Sequence, residues 1–369
     1  MTPGSRRASL VAALLDPERT LSLGLRDWNE MLMLGREHGL LARLGTQLAE
    51  RGLLEQIPQK ARAHIRAVGI AAESSQTSIR WEVNRVMRAL ADVDCPVVLL
   101  KGSAYVMADL PAAAGRFVGD VDLMVPREKI DEVERVLAQK GWAPSEMNEY
   151  DQRYYREWMH EIPPMQHPER ETMLDIHHTI LPLTSRFHPD AAALFAASRP
   201  LDDPRLRVLA PADMVLHSTV HVFNDEVSSP LRDLSDLNLL LRHFGKRPGF
   251  WDELLARAEL HGLRRPLYHV LRHAQRVLGT PIPPAVVAAA GAGAPGPVTG
   301  ALMDWLFRHR FTSGPSRHPG PGGRVAKGLL YLRAHWLRMP LPMLLRHLSV
   351  KAGRRMRERF ERKPDEAEA

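Results

Sequence analysis

Apolar positions recur at intervals of three and four residues through most of the first 90 residues. This spacing is typical of amphipathic helices and predicts helices from residue 8 to about residue 90, with one long helix at 61–91. The pattern changes at a turn formed by Asp94, Cys95 and Pro96, after which residues 97–100 form a short apolar run of the buried-strand type. The chain therefore passes from a purely helical region into one that contains strands.

Two further segments have the pattern of strands. Residues 118–125 alternate between apolar and polar positions and end at Pro126, and residues 173–180 have the strand-like sequence MLDIHHTI. An amphipathic helix is predicted between them at 127–140, and helical spacing returns from about residue 190 to residue 278. These elements predict an α+β protein, with a small mixed β-sheet between N-terminal and C-terminal helical regions.

Changes in pattern and composition divide the chain into five segments. They are an N-terminal helical region (1–92), a core that contains the strands (93–188), a C-terminal helical region (189–278), a linker rich in Pro and Gly with one short helix (279–323), and a basic helical tail (324–369). At roughly 150 residues per domain, a chain of 369 residues is long enough for two or three structural units.

The composition excludes several classes of protein. With 44% hydrophobic and 25% charged residues, the chain has the composition of a globular protein with a sizeable core. Its one cysteine, Cys95, cannot form an internal disulfide, and no stretch approaches the roughly 20 apolar residues of a membrane-spanning helix. Arg6 and Arg7 precede a short apolar run, but Asp16 and Pro17 stand where a signal peptide needs small residues for cleavage. We therefore expect an amphipathic first helix and a cytoplasmic protein.

The net charge of +7 is concentrated at the C-terminal end. Residues 324–363 contain twelve basic and two acidic residues, so the rest of the chain is slightly acidic. A nucleic-acid-binding body would spread basic side chains over its fold, so no specific nucleic acid is predicted as a partner. Three interpretations of the basic segment stay open: a helical hairpin packed on the body, a peripheral contact with the anionic inner face of the membrane, or a contact with nucleic acid.

Three carboxylates have the arrangement of a divalent-metal site. Asp120 and Asp122 lie two residues apart on one predicted strand, so both side chains point to one face, about 6.5 to 7 Å apart along the backbone. Asp175 lies on a later predicted strand and would reach the same face if the two strands are neighbours. Because unpaired carboxylates repel one another, and Mg²⁺ prefers a few carboxylates with phosphates and water, these residues predict a metal site. Asp92 and Asp94 have the same spacing but fall in a turn, and we interpret them as solvated.

Gly102 and Ser103 form a candidate phosphate site at a predicted strand-to-helix junction. Backbone N–H groups at a helix N-terminus attract anions, and glycine lets a phosphate approach the backbone closely. Lys101, just before them, could contact a phosphate or simply cap the end of the strand. Arg116 could clamp a triphosphate through its planar guanidinium group, or pair with Asp120.

Three histidines have less specific patterns. His177 lies two residues after Asp175 on the same strand face, where it could orient a carboxylate or an acceptor, or be a structural histidine. His217 and His221 lie four residues apart on one helix face, but the residues between them lack the Glu of a zinc-protease motif. We expect these two side chains to pack.

The order of the motifs resembles that of the bacterial uncharacterised nucleotidyltransferase family, which has the nucleotidyltransferase fold of the DNA polymerase beta superfamily. The shared pattern is a Lys-Gly pair before a helix, an Arg four residues before an Asp-hydrophobic-Asp strand, and a later Asp-hydrophobic-His strand. In this chain the pattern falls on Lys101 and Gly102, on Arg116, on Asp120 and Asp122, and on Asp175 and His177. The resemblance covers roughly residues 25–275. The sixteen residues between Ser103 and Asp120 are more than the wider superfamily uses.

The resemblance implies transfer of a nucleoside monophosphate from an NTP, with ATP as the expected donor, to a hydroxyl of an unknown acceptor, with release of pyrophosphate. It implies two Mg²⁺ ions, or Mn²⁺ in their place, held by Asp120 and Asp122, with Asp175 at the ion nearest the acceptor. Gly102 and Ser103 would hold the β and γ phosphates. Two alternatives stay open: a non-catalytic scaffold that binds a nucleotide, a partner or the membrane surface, and a sugar-nucleotide glycosyltransferase, which needs neither the Lys-Gly-Ser junction nor Asp175.

Overall fold

The structure, a computed structural model, describes residues 10–170, 172–224, 229–312 and 320–344 of the chain. Arg6 and Arg7 lie outside the described residues, as does the part of the basic segment that follows residue 344. Two buried apolar clusters hold the described residues together. A small cluster lies within the N-terminal helices, and a large one surrounds the β-sheet.

The N-terminal region is helical, as its spacing predicts. Residues 10–15 are helical, and three longer helices follow: α1 (Leu25–Glu37), α2 (Leu41–Glu50) and α3 (Gln59–Ala89). Their apolar faces meet in the small cluster, which includes Trp28, Leu44 and Ile65. α3 continues past this cluster, and its C-terminal half packs Ile79 and Val83 into the large one. One long helix thus joins the N-terminal region to the core.

Seven strands form one mixed sheet among the described residues. They are β1 (Val97–Leu99), β2 (Asp120–Met124), β3 (Ala143–Pro144), β4 (Met165–Gln166), β5 (Met173–His177), β6 (Arg199–Pro200) and β7 (Leu206–Val208), in the order β3-β4-β5-β2-β1-β7-β6. β2 is central, parallel to β5 and antiparallel to β1, and β1 is parallel to β7. The mixed sheet between helical regions confirms the predicted α+β class.

Residues 199–208 differ from the prediction of a helix. They form the antiparallel β6–β7 pair, and β7 extends the sheet beside β1. Pro200 and Pro204 interrupt helical hydrogen bonding, while Leu206 and Val208 alternate with a polar residue and are buried. The helical prediction is therefore wrong for this segment.

Eleven further helices lie among the described residues. They are α4 (Lys101–Met107), α5 (Ile130–Gln139), α6 (Glu149–Trp158), α7 (Ala191–Ala197), α8 (Pro211–Asn224), α9 (Pro230–Phe244), α10 (Phe250–Leu260), α11 (Arg264–Leu278), α12 (Pro284–Ala290), α13 (Pro297–Thr312) and α14 (Pro321–Arg338). α8 is almost entirely buried, because α9, α10 and α11 all pack against it. It also contacts α4, which places the C-terminal region beside the carboxylate-bearing sheet.

The described residues of the segment predicted as a linker belong to the packed body. Residues 279–323 contain both α12 and α13, and Val286, Phe307 and Phe311 join the large apolar cluster. A proline begins each helix, a position where the missing N–H is tolerated, so the proline content does not prevent helix formation. The predicted short helix at 301–309 is part of α13, whereas α12 and the packing of these helices on the core differ from the prediction of a linker.

The structure also bears on membrane-spanning segments. No single helix within the described ranges is long and apolar enough to cross a membrane. The pair at Pro284–Gly293 and Pro297–Phe311 reaches the required length and composition only when taken together, and it is bent by 112°.

Candidate active site

The register of β2 against β5 brings the three predicted carboxylates together. Asp122 is paired with Asp175 across the two parallel strands, and Asp120 stands two residues earlier on β2. One carboxylate oxygen from each residue lies within 4.8 Å of the other two, and we call this group the carboxylate cluster. Because side chains alternate along a strand, Val121 and Leu123 point the other way and are fully buried. The same alternation therefore builds the core and the site.

The carboxylate cluster lines a cavity of about 540 Å³, which we call the central cavity. Its other walls come from α4, from the loop before β2, and from the C-terminal helices α8 and α9. The lining side chains from these walls include Lys101, Tyr105, Arg116, Phe117, Ser218, His221, Arg232, Asp233 and Asp236. The cavity thus lies between the sheet and the C-terminal helical region, and both positively and negatively charged side chains face it.

The three carboxylates differ in protonation behaviour. Burial, together with the negative charge of Asp122, raises the pKa of Asp120 above its usual range. Burial and the same charge raise the pKa of Asp175 to about 7. Burial alone would raise the pKa of Asp122 as well, but Lys101 and His177 outweigh it and hold that pKa below its usual range. In the metal-free protein Asp122 is therefore the carboxylate of the cluster that most readily stays ionised.

Lys101 supplies a positive charge to the carboxylate cluster. Its Nζ lies 2.5 Å from Oδ1 of Asp122. Its backbone is left-handed, with a φ of 46°, a conformation that residues other than glycine rarely adopt. Burial alone would lower the pKa of Lys101, but Asp122 raises it above its ordinary value. The lysine therefore stays charged against the carboxylate, in a strained conformation typical of functional sites.

His177, at the end of β5, contacts the same carboxylate oxygen. Its Nε2 lies 3.1 Å from Oδ1 of Asp122, and its Nδ1 lies 3.4 Å from Oε2 of Glu161. The ring is buried, so its position is fixed by packing. An imidazole held in this way orients the carboxylate that it contacts.

The side chain of Ser103 and the α-carbon of Gly102 lie behind the wall of the central cavity. The Ser103 hydroxyl donates to the carbonyl of Leu100 at 2.8 Å and lies 3.0 Å from the carbonyl oxygen of Asp122. A Cβ at Gly102 would come within 2.3 Å of Nη1 of Arg116, so glycine is required for the guanidinium to lie there. Both residues position other parts of the site, and a phosphate contact from them would come from their backbone.

Arg116 pairs with Asp236 of α9 and not with Asp120. Its Nε lies 3.0 Å from Oδ2 of Asp236, whose Oδ1 lies 2.7 Å from Nη2 of Arg43 on α2. Arg43 also donates hydrogen bonds to backbone carbonyls of the loop that precedes β2. Arg116 lies over the ring of Tyr105, with 5.4 Å between its Cζ and the ring centroid. Three segments of the chain therefore fix the guanidinium at the cavity wall.

The structure adds residues that the sequence motifs do not contain. Phe117 is 61% exposed and lines the central cavity, while Asp236 is buried. The α9 sequence LRDLSDLNLLL sets two acids among leucines, and a buried acid needs a partner, so this pattern could have identified Asp236. His217 is buried, as expected, whereas His221 lines the cavity. Glu161 lies in a stretch without periodicity, and the sequence carries no signal for it.

The carboxylate cluster fits a divalent cation that prefers oxygen ligands. Three carboxylate oxygens converge, and the raised pKa values of Asp120 and Asp175 indicate that Lys101 alone does not balance their charge. Mg²⁺ and Mn²⁺ take such ligands, and phosphate oxygens and waters complete their coordination. The residues present would therefore hold such an ion.

A mixed sheet that carries three converging carboxylates beside a strand-to-helix junction is the arrangement of a nucleotidyltransferase. The family model of the uncharacterised nucleotidyltransferases matches residues 25–279, which is most of the chain. The protein belongs to this family, as its motifs predict, and it is an enzyme of the nucleotidyltransferase class.

Two solved structures are similar to part of the chain. The crystal structure of ANT(2'')-Ia in complex with adenylyl-2''-tobramycin is 14% identical, with a TM-score of 0.34, over 50% of this chain and 98% of that chain. The solution structure of the antibiotic-resistance factor ANT(2'')-Ia is 15% identical, with a TM-score of 0.34, over 55% and 98%. A search of the curated proteins finds no significant match.

Proposed function

We propose that this protein transfers a nucleoside monophosphate from an NTP to a hydroxyl of an acceptor, in an Mg²⁺-dependent reaction that releases pyrophosphate. ATP is the expected donor. The observation that carries the proposal is the convergence of Asp120, Asp122 and Asp175 at the wall of the central cavity. At about 540 Å³ this cavity has the size of a small-molecule site, and family membership supports nucleotidyl transfer.

Asp120 and Asp122 would hold two Mg²⁺ ions, with Asp175 at the ion nearest the acceptor, and Mn²⁺ could replace them. When bound, the ions stabilise the attacking and leaving oxygens of an in-line displacement. Lys101 and His177 keep Asp122 ionised and fixed in orientation, so this ligand is ready before the substrate arrives.

Arg116 is the proposed contact for the triphosphate. Arg116 lines the central cavity, and the ion pair of its Nε with Asp236 holds the guanidinium at the cavity wall. A planar guanidinium binds phosphate oxygens well. Because Nη1 adjoins Gly102, backbone N–H groups of Gly102 and Ser103 at the start of α4 would reach the same phosphates.

Asp175 is the proposed proton acceptor. At the ion nearest the acceptor, its carboxylate would be placed to take the proton of the acceptor hydroxyl, whose own pKa that ion would lower. The acceptor hydroxyl would lose its proton to an Asp175 oxygen as its own oxygen bonds to the α-phosphorus. The bond from that phosphorus to the bridging oxygen breaks at the same time, and pyrophosphate leaves.

Calorimetric titration separates this enzyme from a non-catalytic scaffold. NTP is titrated into chelator-treated protein with and without Mg²⁺, for the wild type and for Asp122→Asn. We expect NTP to bind tightly only with Mg²⁺, and the variant to lose this binding. Binding that is independent of metal and of Asp122 would favour a nucleotide-binding scaffold, and no NTP binding at all would favour a scaffold for another partner.

We further propose that α14 rests on an anionic membrane surface. An exposed apolar stripe runs along this helix and consists of Val325, Leu329, Leu332 and Trp336. Arg324 and Lys327 are exposed on the same helix, and the sequence after residue 344 adds eight basic residues up to Lys363. Apolar and basic side chains combined in this way support binding at a membrane interface.

A further inference from the structure

A second group of metal-binding side chains lies beside the carboxylate cluster. Two backbone hydrogen bonds, of 3.0 and 2.9 Å, pair residues 160–162 with residues 176–178 in an antiparallel arrangement. This pairing sets Glu161 directly opposite His177, with His160 next to Glu161 in the chain. The backbone positions of all three residues are therefore fixed by this pairing at the C-terminal end of β5.

The side chains of these three residues converge. Nδ1 of His177 lies 3.4 Å from Oε2 of Glu161, and the ring centroids of His160 and His177 are 5.1 Å apart. One ligand atom from each residue lies within 4.8 Å of the other two. Ligand atoms around one four-coordinate zinc ion lie roughly 3.3 Å apart, so modest side-chain rotation would bring these three to a single ion.

The contact with Asp122 prepares His177 for metal binding. A carboxylate only accepts hydrogen bonds, so Nε2 of His177 donates to Oδ1 of Asp122 at 3.1 Å. In the neutral ring the lone pair is then on Nδ1, the atom that faces Glu161. A histidine that gives one ring N–H to a carboxylate and the other nitrogen to a metal is the usual arrangement in metal sites.

We propose that His160, Glu161 and His177 bind a transition-metal dication of the Zn²⁺ class, at a site separate from the carboxylate cluster. Two imidazoles and one carboxylate match the nitrogen and oxygen ligands that zinc takes, whereas the all-oxygen carboxylate cluster suits Mg²⁺. The proposal is independent of nucleotidyl transfer, because its ligands and its metal are different.

The proposed zinc site adjoins a second cavity of about 220 Å³, which we call the lateral cavity. His160 and Glu161 line this cavity together with Lys101, His221 and Arg338. Three protein ligands leave one position of a four-coordinate ion open, as in catalytic zinc sites. An oxygen donor such as water, a hydroxyl or a carboxylate in the lateral cavity would suit that position, beside the charged groups of Lys101 and Arg338.

Co²⁺ distinguishes this site from an arrangement without metal in which the His177 ring bridges Asp122 and Glu161. The test uses the full-length chain carrying Asp120→Asn and Asp175→Asn, treated with a chelator. These two changes weaken the carboxylate cluster as a competing metal site and leave the three proposed ligands intact. Co²⁺ is the probe because its visible absorption bands report imidazole ligands and low coordination number.

We expect the double variant to bind one Co²⁺ per chain, with visible bands that Zn²⁺ abolishes and excess Mg²⁺ does not. His160→Asn and Glu161→Gln, each added to this background, should weaken Co²⁺ binding at least roughly 10- to 100-fold, the loss caused even by outer partners of a metal ligand. His64→Ala is the matched control, because His64 is an exposed histidine on α3 whose Nδ1 lies 2.9 Å from Nη2 of Arg36, and it should leave binding unchanged.

A stability measurement keeps the test decisive if one ligand variant folds poorly. Zn²⁺ should raise the unfolding temperature of the double variant, because it binds the folded state, and Glu161→Gln should abolish this shift. Circular dichroism checks the fold of each variant. The proposal is overturned if the double variant lacks the Co²⁺ bands, if Mg²⁺ displaces the ion, or if the bands persist in both ligand variants.

Discussion

At the residue scale, Asp122 is the group on which the other charges of the site depend. Lys101 and His177 both contact its carboxylate oxygen Oδ1, and its negative charge contributes to the raised pKa values of Asp120 and Asp175. Asn at position 122 keeps the size of the side chain and removes its charge. We predict that Asp122→Asn and Asp120→Asn each lower the rate of nucleotidyl transfer at least roughly 10²- to 10³-fold, comparable to losing a major electrostatic stabiliser. Release of pyrophosphate measures this rate.

The matched control is the pair of Asp92 and Asp94, which has the same spacing but is exposed in the turn after α3. Replacing both with Asn should keep the rate within about twofold, because exposed carboxylates away from a site contribute little. Equal losses in the two sets of variants would mean that Asp120 and Asp122 have no special role.

Asp175 makes the stability of the metal-free protein depend on pH. Its pKa of about 7 in the folded protein is raised above the unfolded value, so the folded state binds this proton more tightly. The stability from this group is fully present below the unfolded pKa and is lost as pH rises through about 7. With a chelator present, we predict that Asp175→Asn loses less free energy of unfolding between about pH 4 and pH 8 than the wild type. Urea denaturation at both pH values measures the difference, and parallel losses would contradict the raised pKa.

The carboxylate cluster is predictable from the sequence because local alternation alone sets the direction of each side chain. For the three carboxylates to meet, the fold only has to make β2 and β5 neighbours. Glu161 and Asp236 depend instead on pairings across the chain, with His177 and with Arg43, and no local pattern encodes those pairings. The sequence leaves the partner of Arg116 open for the same reason, and the structure shows that it is Asp236.

At the scale of elements, the ion pair of Arg43 with Asp236 joins α2 to α9. Both side chains are 3% exposed, so removing one partner leaves a buried charge uncompensated. We predict that Arg43→Ala lowers the free energy of unfolding by about 3 to 5 kcal/mol, as measured by chemical denaturation. The KM for NTP should also rise, because Asp236 then holds Arg116 less firmly.

Arg66→Ala is the control for this prediction. Arg66 pairs with Glu55 at the surface, where the two side chains are 55% and 64% exposed. Surface pairs contribute little, so this change should stay within about 1 kcal/mol. A comparable loss from Arg66→Ala and Arg43→Ala would indicate that the buried pair does not hold the two helices together.

Helices and strands are predictable from the sequence where they are long enough to show a clear pattern of apolar positions. β2 and β5 have five residues each, enough for alternation to be visible, and α3 is long enough for helical spacing to dominate. β6 and β7 have only two and three residues, and pairing of β7 with β1 and of β6 with β7 stabilises them more than any local preference. Residues 301–309 of α13 are predicted as a short helix from their own spacing. α12 resembles a linker in composition, because prolines that begin helices cannot be told from prolines that break them without the packed partner.

At the scale of the whole molecule, the apolar stripe of α14 predicts binding to anionic vesicles. Each basic residue near an anionic bilayer adds about 1 kcal/mol, and a Debye length near 8 Å makes this attraction sensitive to salt. We predict that the protein sediments with anionic vesicles at low salt, is released as salt rises, and does not sediment with neutral vesicles. Leu329→Glu with Trp336→Glu should reduce the bound fraction several-fold.

Ile70→Glu is the control, because Ile70 is an exposed apolar residue on α3, away from the stripe. It should leave the bound fraction unchanged. Equal binding of the stripe variant and the wild type would remove the membrane role of α14, and retention on an RNA column instead of vesicles would assign the basic segment to nucleic acid.

Transfer of the α-phosphate is the step that separates nucleotidyl transfer from every other use of an NTP. The protein is incubated with Mg²⁺ and cell extract in parallel reactions that contain α-labelled or γ-labelled NTP. We predict that label from the α position enters an acceptor fraction and that label from the γ position is recovered in pyrophosphate. Both signals should disappear with Asp122→Asn and persist with the Asp92 and Asp94 double variant. Label from the γ position that enters the acceptor fraction with the wild type but not with Asp122→Asn, or α-label transfer that survives Asp122→Asn, would contradict a nucleotidyltransferase centred on this carboxylate cluster.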